Sequence, residues 1–388
     1  MHDLAKSLDK RTQIDMVILD FSKAFDTVPH QKLLHKLEHL GIVGKIKKWL
    51  SSFLTNRTQQ VVTEGILSST CSVDSGVPQG TVLGPLLFLC HINDLPLTVT
   101  SQVRLFADDC LLYRKISTPN DQLQLQEDLK NLEKWAHDWG MRFNATKCYK
   151  LQMARSKNPH DFDYNLCGHT LDQVKNNPYL GVILNEKLKW QPHVEKISKK
   201  ANSVLGFLRR NLRHCHASLK ETAYVSLVRP ILDYACTVWD PHLAGDVQKL
   251  ESVQRRAARF VCNDYNPCSS VTQMMSKLNW VPLADRRRDQ RLVLMYKTLN
   301  NHIAITPDTL DIESNLRTNR RHNTRTLKQQ HCSTDTFKFS FAPRTIKDWN
   351  DLPDVCVTAP TEENFKATLL KHFRPDNYPP PSNIDTHN

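Results

Sequence analysis

Asp20, Asp108 and Asp109 are the residues whose type and setting point to chemistry. Asp20 closes the apolar run Met16-Val17-Ile18-Leu19, and Asp108-Asp109 lies between Leu105-Phe106-Ala107 and Cys110-Leu111-Leu112-Tyr113. Adjacent carboxylates repel one another and resist burial. Such a pair either faces water at a turn, its ordinary fate, or is neutralised by a divalent cation. Three converging carboxylates make a hard, all-oxygen site suited to magnesium, or manganese, kept partly hydrated for phosphate ligands. Two such ions about 3.5–4 Å apart clamp the attacking and leaving oxygens of an in-line phosphoryl transfer.

The flanking elements decide whether the three converge. The run ending at Asp20 reads as a strand buried on both faces, with the aspartate at its carboxyl end. The β-favouring runs around Asp108-Asp109 read as a hairpin with the pair at its tip. If strand and hairpin are neighbours in one sheet, the carboxylates meet. Between them a helix carries Leu33, Leu34, Leu37 and Leu40 on one face and stops at Gly41, and another spans Lys45 to Leu54. Strands follow at 59–64 and 70–74. Gly76-Val77-Pro78-Gln79-Gly80 then fixes a tight turn before a helix over 83–92. Asn120 is a plausible N-cap for a helix bearing Leu125, Leu129, Leu132, Ala136 and Trp139, which Gly140 stops. Strand-like segments at 142–153 and 179–184 complete an α+β pattern, an antiparallel sheet with helices on one face.

Beyond Trp190 the chain turns helical and basic. Val194, Ile197, Ala201, Leu205 and Leu208 form one helix face, with Lys196, Lys199, Lys200, Arg209 and Arg210 largely off it. A solvated face is the plain reading of such charges, and a phosphate-tracking face the functional one. Further clusters at Arg255-Arg256 and Arg286-Arg287-Arg288, with a formal net charge of +12 over 388 residues, favour nucleic acid as partner. Eleven scattered cysteines without a Cys-x-x-Cys repeat point to a reducing, intracellular setting, nuclear or cytoplasmic, rather than secretion. The longest apolar stretch, around Leu86 to Cys90, is far too short to cross a bilayer, and no membrane partner is expected.

In order along the chain, Asp20-Phe21-Ser22-Lys23-Ala24-Phe25-Asp26, Gly76-Val77-Pro78-Gln79-Gly80 with Leu83-Gly84-Pro85-Leu86-Leu87-Phe88, and Phe106-Ala107-Asp108-Asp109 resemble motifs A, B and C of reverse transcriptases. The likeness is greatest to the polymerases of jockey-like non-LTR retrotransposons. Asn144-Ala145-Thr146-Lys147-Cys148 is similar to motif D, and Tyr179-Leu180-Gly181 to the primer grip. Each piece alone is weak, and five in this order are specific.

The resemblance implies a polymerase palm followed by a mostly helical thumb and C-terminal region. It implies RNA-directed DNA synthesis from deoxynucleoside triphosphates onto a DNA primer over an RNA template, with two Mg²⁺ ions held by Asp20, Asp108 and Asp109. It places Phe25 under the sugar, where bulk excludes a 2′-hydroxyl, and Gln79 and Gly80 against the incoming nucleotide and template. Lys147 would protonate or neutralise departing pyrophosphate. The expected divisions are a palm at 1–185, helical thumb and basic helices at 186–300, a linker or long loop at 301–345, a helical segment at 346–374 and a disordered Pro-rich tail at 375–388.

Only nineteen residues precede Asp20, where such polymerases place a fingers subdomain. The chain is therefore expected to be part of a larger protein. The competing reading is a catalytically inactive nucleic-acid-binding relic that lacks the fingers. A phosphoacceptor site of the response-regulator kind calls for an alternating βα repeat, which the pattern lacks.

Overall fold

The strand β1 (Gln13–Leu19) is buried along its whole length, as its apolar run Met16-Val17-Ile18-Leu19 leads one to expect, and it takes Gln13 and Asp15 into the interior with it. In the computed structural model, which describes residues 1–315 and 324–374, β1 lies at the centre of a five-stranded sheet. Its other members are β2 (Gln102–Phe106), β3 (Asp109–Ile116), β4 (Tyr149–Met153) and β5 (Asp172–Gln173), in the spatial order β5-β4-β1-β3-β2. β1 runs antiparallel to both β3 and β4, and β2 and β3 form an antiparallel hairpin. The edge strand β5 runs parallel to β4, so the sheet is mixed where a purely antiparallel one was expected.

Three helices in this region have clear local causes. α1 (His30–His39) ends before Gly41, whose φ of +84° only glycine adopts cheaply. α2 (Leu83–Ile92) matches its expected bounds. α3 (Pro119–Trp139) starts two residues earlier than expected: Thr118, not Asn120, is the N-cap, in a capping box with Asp121. Gly140 at φ +75° stops it. Leu33, Leu37, Phe88, Ile92, Leu125, Leu129 and Leu132 from these helices pack with Val17, Leu19, Cys110 and Leu112 of the sheet in one core. Asp15, on the same face as Val17 and Leu19, is fully buried. Donors from Gln13 Nε2, Gln122 Nε2 and the Tyr164 hydroxyl satisfy it.

The chain divides into two compact units, residues 11–181 and residues 1–10 with 182–388. The first therefore begins later than the expected palm boundary. Helix His2–Asp9 belongs to the second unit, where it buries Leu4, Ala5 and Leu8. Lys6 pairs there with Asp311 at 2.6 Å, and Asp9 accepts from the Ser333 backbone N–H at 3.0 Å.

The second unit is helical, with α4 (Gln191–Asn211), α5 (Ala217–Ala223), α6 (Ala244–Cys262), α7 (Leu283–Leu299), α8 (Phe341–Asn350) and α9 (Glu362–Phe373). Val194, Ile197, Ala201, Leu205 and Leu208 of α4 face the core as their spacing dictates. The stretch 301–345 is not merely a connector. Leu310, Ile312, Leu327 and Ala342 are buried in the same core as Trp349 and Phe365. Asn350 clasps the Leu327 backbone with two bonds of 2.8 Å, which gives Trp349-Asn350-Asp351-Leu352-Pro353 a structural role. The expected Pro-rich tail at 375–388 lies outside the described residues.

Arg286, Arg287 and Arg288 do not form a solvent-facing basic cluster. Arg286 pairs with Asp233 at 2.8 Å, Arg288 with Asp289 at 3.2 Å, and fully buried Arg287 with Asp240 at 2.6 Å. No helix among the described residues is long and apolar enough to cross a membrane.

Candidate active site

The register of the sheet decides which carboxylates meet. Leu19 of β1 stands opposite Cys110 of β3, so the next residue out, Asp20, leaves the sheet beside Asp109. Phe106 pairs with Asp109, leaving Ala107-Asp108 as a two-residue hairpin loop. Ala107 takes φ +51° there. A residue with a Cβ pays about 1–2 kcal/mol in that region, a strain that recurs at functional sites.

The electrostatics agree with that placement. Burial pushes the Asp20 carboxyl above the usual carboxylate range; the Lys147 ammonium opposes the shift and the Asp108 charge adds to it. Burial likewise raises Asp109, with Asp108 and then Asp20 adding to the effect. Asp20, Asp108, Asp109 and Lys147 thus occupy one electrostatic neighbourhood.

Lys147 owes its position to the segment around it. Asn144 donates its backbone N–H to the Asp20 carbonyl at 2.8 Å, Ser22 donates to the Arg142 carbonyl at 2.8 Å, and Phe21 stacks on Phe143 at 4.4 Å. The Asp20 N–H in turn points at Cys148 Sγ, 3.4 Å away. Cys148, the last residue of the segment similar to motif D, carries no role in that resemblance and here backs Asp20. Burial raises its thiol to about 11 and that of Cys110 to about 12, so both are neutral apolar packing behind the carboxylates.

The second cluster is built on glycine. The Gly76 and Val77 N–H groups donate to the Val28 and Phe25 carbonyls, each at 2.8 Å. Gly76 has φ +88°, and an added Cβ would lie 2.8 Å from Asp26 Cα. Only glycine permits this approach. It brings Gln79 Nε2 to Asp26 Oδ1 at 2.8 Å, and Phe25 stacks on Phe88 with centroids 4.4 Å apart. Gly80 has φ +78° and nothing within 4 Å of an added Cβ, so its turn conformation, rather than crowding, explains the residue within this chain.

A groove of about 800 Å³ opens beside Gln79, with Lys23, Asp26, Arg57 and Asp74 on its walls. Arg57 was not foreseen. It donates to the Leu54 and Gly76 carbonyls from a strand whose sequence carries no motif.

Tyr179 lies within electrostatic reach of Asp109. Its hydroxyl is pushed up to about 12 by burial, with Cys110 and Asp109 adding. Leu180 and Gly181 follow at φ +47° and +79°, so the expected continuous strand over 179–184 is broken by a turn. In the other unit, Lys196, Lys199, Lys200, Arg209 and Arg210 are all exposed on α4.

The donor set suits a hard divalent cation: three carboxylates, two of them raised first by burial and then by their acidic neighbours, and a cation would relieve both effects. Among the described residues, however, no group of three or more His, Cys, Asp or Glu side chains stands gathered as a finished ligand cluster. The backbone supplies the neighbourhood, and side-chain rotation would have to supply the final convergence.

A central sheet with paired carboxylates at a hairpin tip, facing a third at the end of the adjacent strand, defines the class of palm-type polymerases. Residues 2–184, just under half of the chain, match the family model described as reverse transcriptase (RNA-dependent DNA polymerase), and this segment has the reverse transcriptase fold. Several relatives are named as RNA-directed DNA polymerases of transposons and mobile elements. The probable RNA-directed DNA polymerase from transposon X-element of Drosophila melanogaster is 25% identical over 337 residues, covering 81% of this chain and 34% of that protein. The RNA-directed DNA polymerase from mobile element jockey of the same species is 29% identical over 255 residues, covering 63% and 28%. The chain thus spans about a third of the length of these relatives. A solved telomerase from Candida albicans aligns over 80% of this chain and 51% of its own, at 13% identity and TM-score 0.39, too low a score to weigh.

Proposed function

We propose that this chain contributes the catalytic centre of an RNA-directed DNA polymerase that adds deoxynucleotides to a DNA primer on an RNA template. The observation that supports this most is the common electrostatic neighbourhood of Asp20, Asp108, Asp109 and Lys147. Asp20 and Asp108 are the principal candidates to hold two Mg²⁺ or Mn²⁺ ions, with Asp109 beside them. Bound there, the ions would lower the pKa of the primer 3′-hydroxyl and neutralise pyrophosphate charge.

The remaining roles fall to the chain's own side chains. Lys147, exposed beside Asp20, delivers a proton or a positive charge to the leaving pyrophosphate. Phe25, braced by Phe88, supplies the bulk that a 2′-hydroxyl would meet. Gln79, oriented by Asp26, offers an amide to the nucleotide, and the turn at Gly80 brings backbone to the template. The Tyr179-Leu180-Gly181 turn holds the primer end near Asp109. The exposed basic face of α4 takes backbone phosphates. Action on RNA and DNA inside the cell assigns the chain to the nucleus, the cytoplasm or both.

Primer extension on poly(rA)/oligo(dT) with Mg²⁺ tests the reading, using the chain, a version extended upstream, and Asp108→Ala in each. Extension abolished by Asp108→Ala is expected. Extension that survives the substitution overturns the site assignment. Salt-sensitive RNA binding without extension by either version supports the non-catalytic alternative instead.

A further inference from the structure

Away from the aspartates, the C-terminal end of α4, the start of α5 and the C-terminal end of α6 enclose a groove of about 890 Å³. Arg209, Arg210, Arg213 and Lys220 line it, with Asn263 and Tyr265, and no acidic residue does. Lys220 is 4% exposed, and its ammonium rests 5.5 Å from the Phe260 ring centroid, with no carboxylate paired to it among the described residues. An ammonium that faces the groove from a largely buried stem gains its counter-ion when an anion arrives there. The arginines are exposed around the rim, and a fork-shaped guanidinium matches phosphate oxygens.

The groove is not only an anion site. Tyr265 stays 48% exposed, with the Arg209 guanidinium 5.1 Å from its ring centroid. An aromatic ring backed by a guanidinium is a platform for a planar base. Asn263 ends α6 in the left-handed conformation, φ +52°, which turns the chain so that the amide and the tyrosine line one cavity. The volume falls within the range typical of pockets for small organic ligands. It is larger than one phosphate needs.

We infer that this groove binds one unpaired nucleotide of a nucleic acid, its base on Tyr265, its phosphate between Arg210, Arg213 and Lys220, and its base edge within reach of Asn263. The inference rests on the nucleic-acid reading above but goes beyond it, because a basic helix face alone tracks a backbone without distinguishing paired from unpaired strands. RNA and DNA share the required chemistry.

The test is fluorescence anisotropy of the full chain with labelled RNA and DNA stems, each either fully paired or carrying one bulged nucleotide. Bulged stems are expected to bind about tenfold tighter. Tyr265→Ala should erase that preference while leaving paired-stem affinity unchanged. Lys220→Met should weaken bulged-stem binding and its salt dependence. Circular dichroism checks the fold, and should Lys220→Met not fold, the exposed-site variants Tyr265→Ala and Arg213→Gln decide the matter. A preference in the RNA arm, the DNA arm or both upholds the site and identifies the strand. Equal affinities, or a preference that persists in Tyr265→Ala, overturn the groove while leaving the nucleic-acid reading intact. No binding to any stem overturns both.

Discussion

The backbone N–H of Asn144 donates to the carbonyl oxygen of Asp20 at 2.8 Å, and this bond sets Lys147 opposite the Asp20 carboxylate. The ammonium opposes the rise that burial imposes on the Asp20 carboxyl. If it also serves the leaving pyrophosphate, Lys147→Met slows nucleotide addition by roughly 10–100-fold, and Lys147→Arg recovers most of the rate. Single-turnover extension reads the difference. Equal rates for the native and Met forms would show the ammonium to be a solvated bystander.

Gly76 joins the Phe25 turn to Gln79 through a contact that no side chain fits. Gly76→Ala combines a left-handed φ of +88° with a Cβ 2.8 Å from Asp26 Cα. Strain and overpacking together should cost about 2–4 kcal/mol. Urea midpoints measure the loss, and a variant within about 0.5 kcal/mol of the native chain would contradict the geometry.

His91 is fully buried between Trp135 and Trp139. Burial, reinforced by the nearby Lys36 charge, holds it at about 4. In the unfolded chain a histidine takes up its proton near pH 6.5. The unfolded state therefore binds more protons between those values, and stability falls as pH drops from about 6.5 towards 4, by up to roughly 3 kcal/mol. Above pH 6.5 this site contributes no pH dependence. Denaturant midpoints at pH 7 and pH 4.5 should separate in the native chain and draw together in His91→Leu.

Asp240 is the hub of the C-terminal unit, accepting from Arg287 at 2.6 Å, Arg291 at 3.0 Å and Arg344 at 3.1 Å. Arg287 is already short of acceptors, with both terminal guanidinium nitrogens buried and unpartnered. Removing the charge in Asp240→Asn strands Arg287, while Arg291 keeps Asp348 at 2.9 Å, and should cost about 3–5 kcal/mol. Thermal unfolding would show it as a lowered Tm. An unchanged Tm would mean that water already solvates the cluster.

The sequence by itself determined which residues are candidates for the chemistry. Asp20 at the end of an apolar run, and Asp108-Asp109 between two β-favouring runs, are local patterns, and local patterns survive without knowledge of what packs against them. The same holds for the helix 83–92 and for the apolar face of α4, set by periodicity alone. What only the tertiary structure decided is which charges are free to act. Arg286, Arg287 and Arg288 look like Lys196, Lys199 and Lys200 in composition, yet the first three are absorbed by Asp233, Asp240 and Asp289 while the lysines stand exposed. The groove around Lys220 and the place of Arg57 likewise come from segments distant in sequence. Ion pairs and cavities depend on long-range neighbours, whereas the alternation and spacing that mark a strand or a helix depend only on the residues within it.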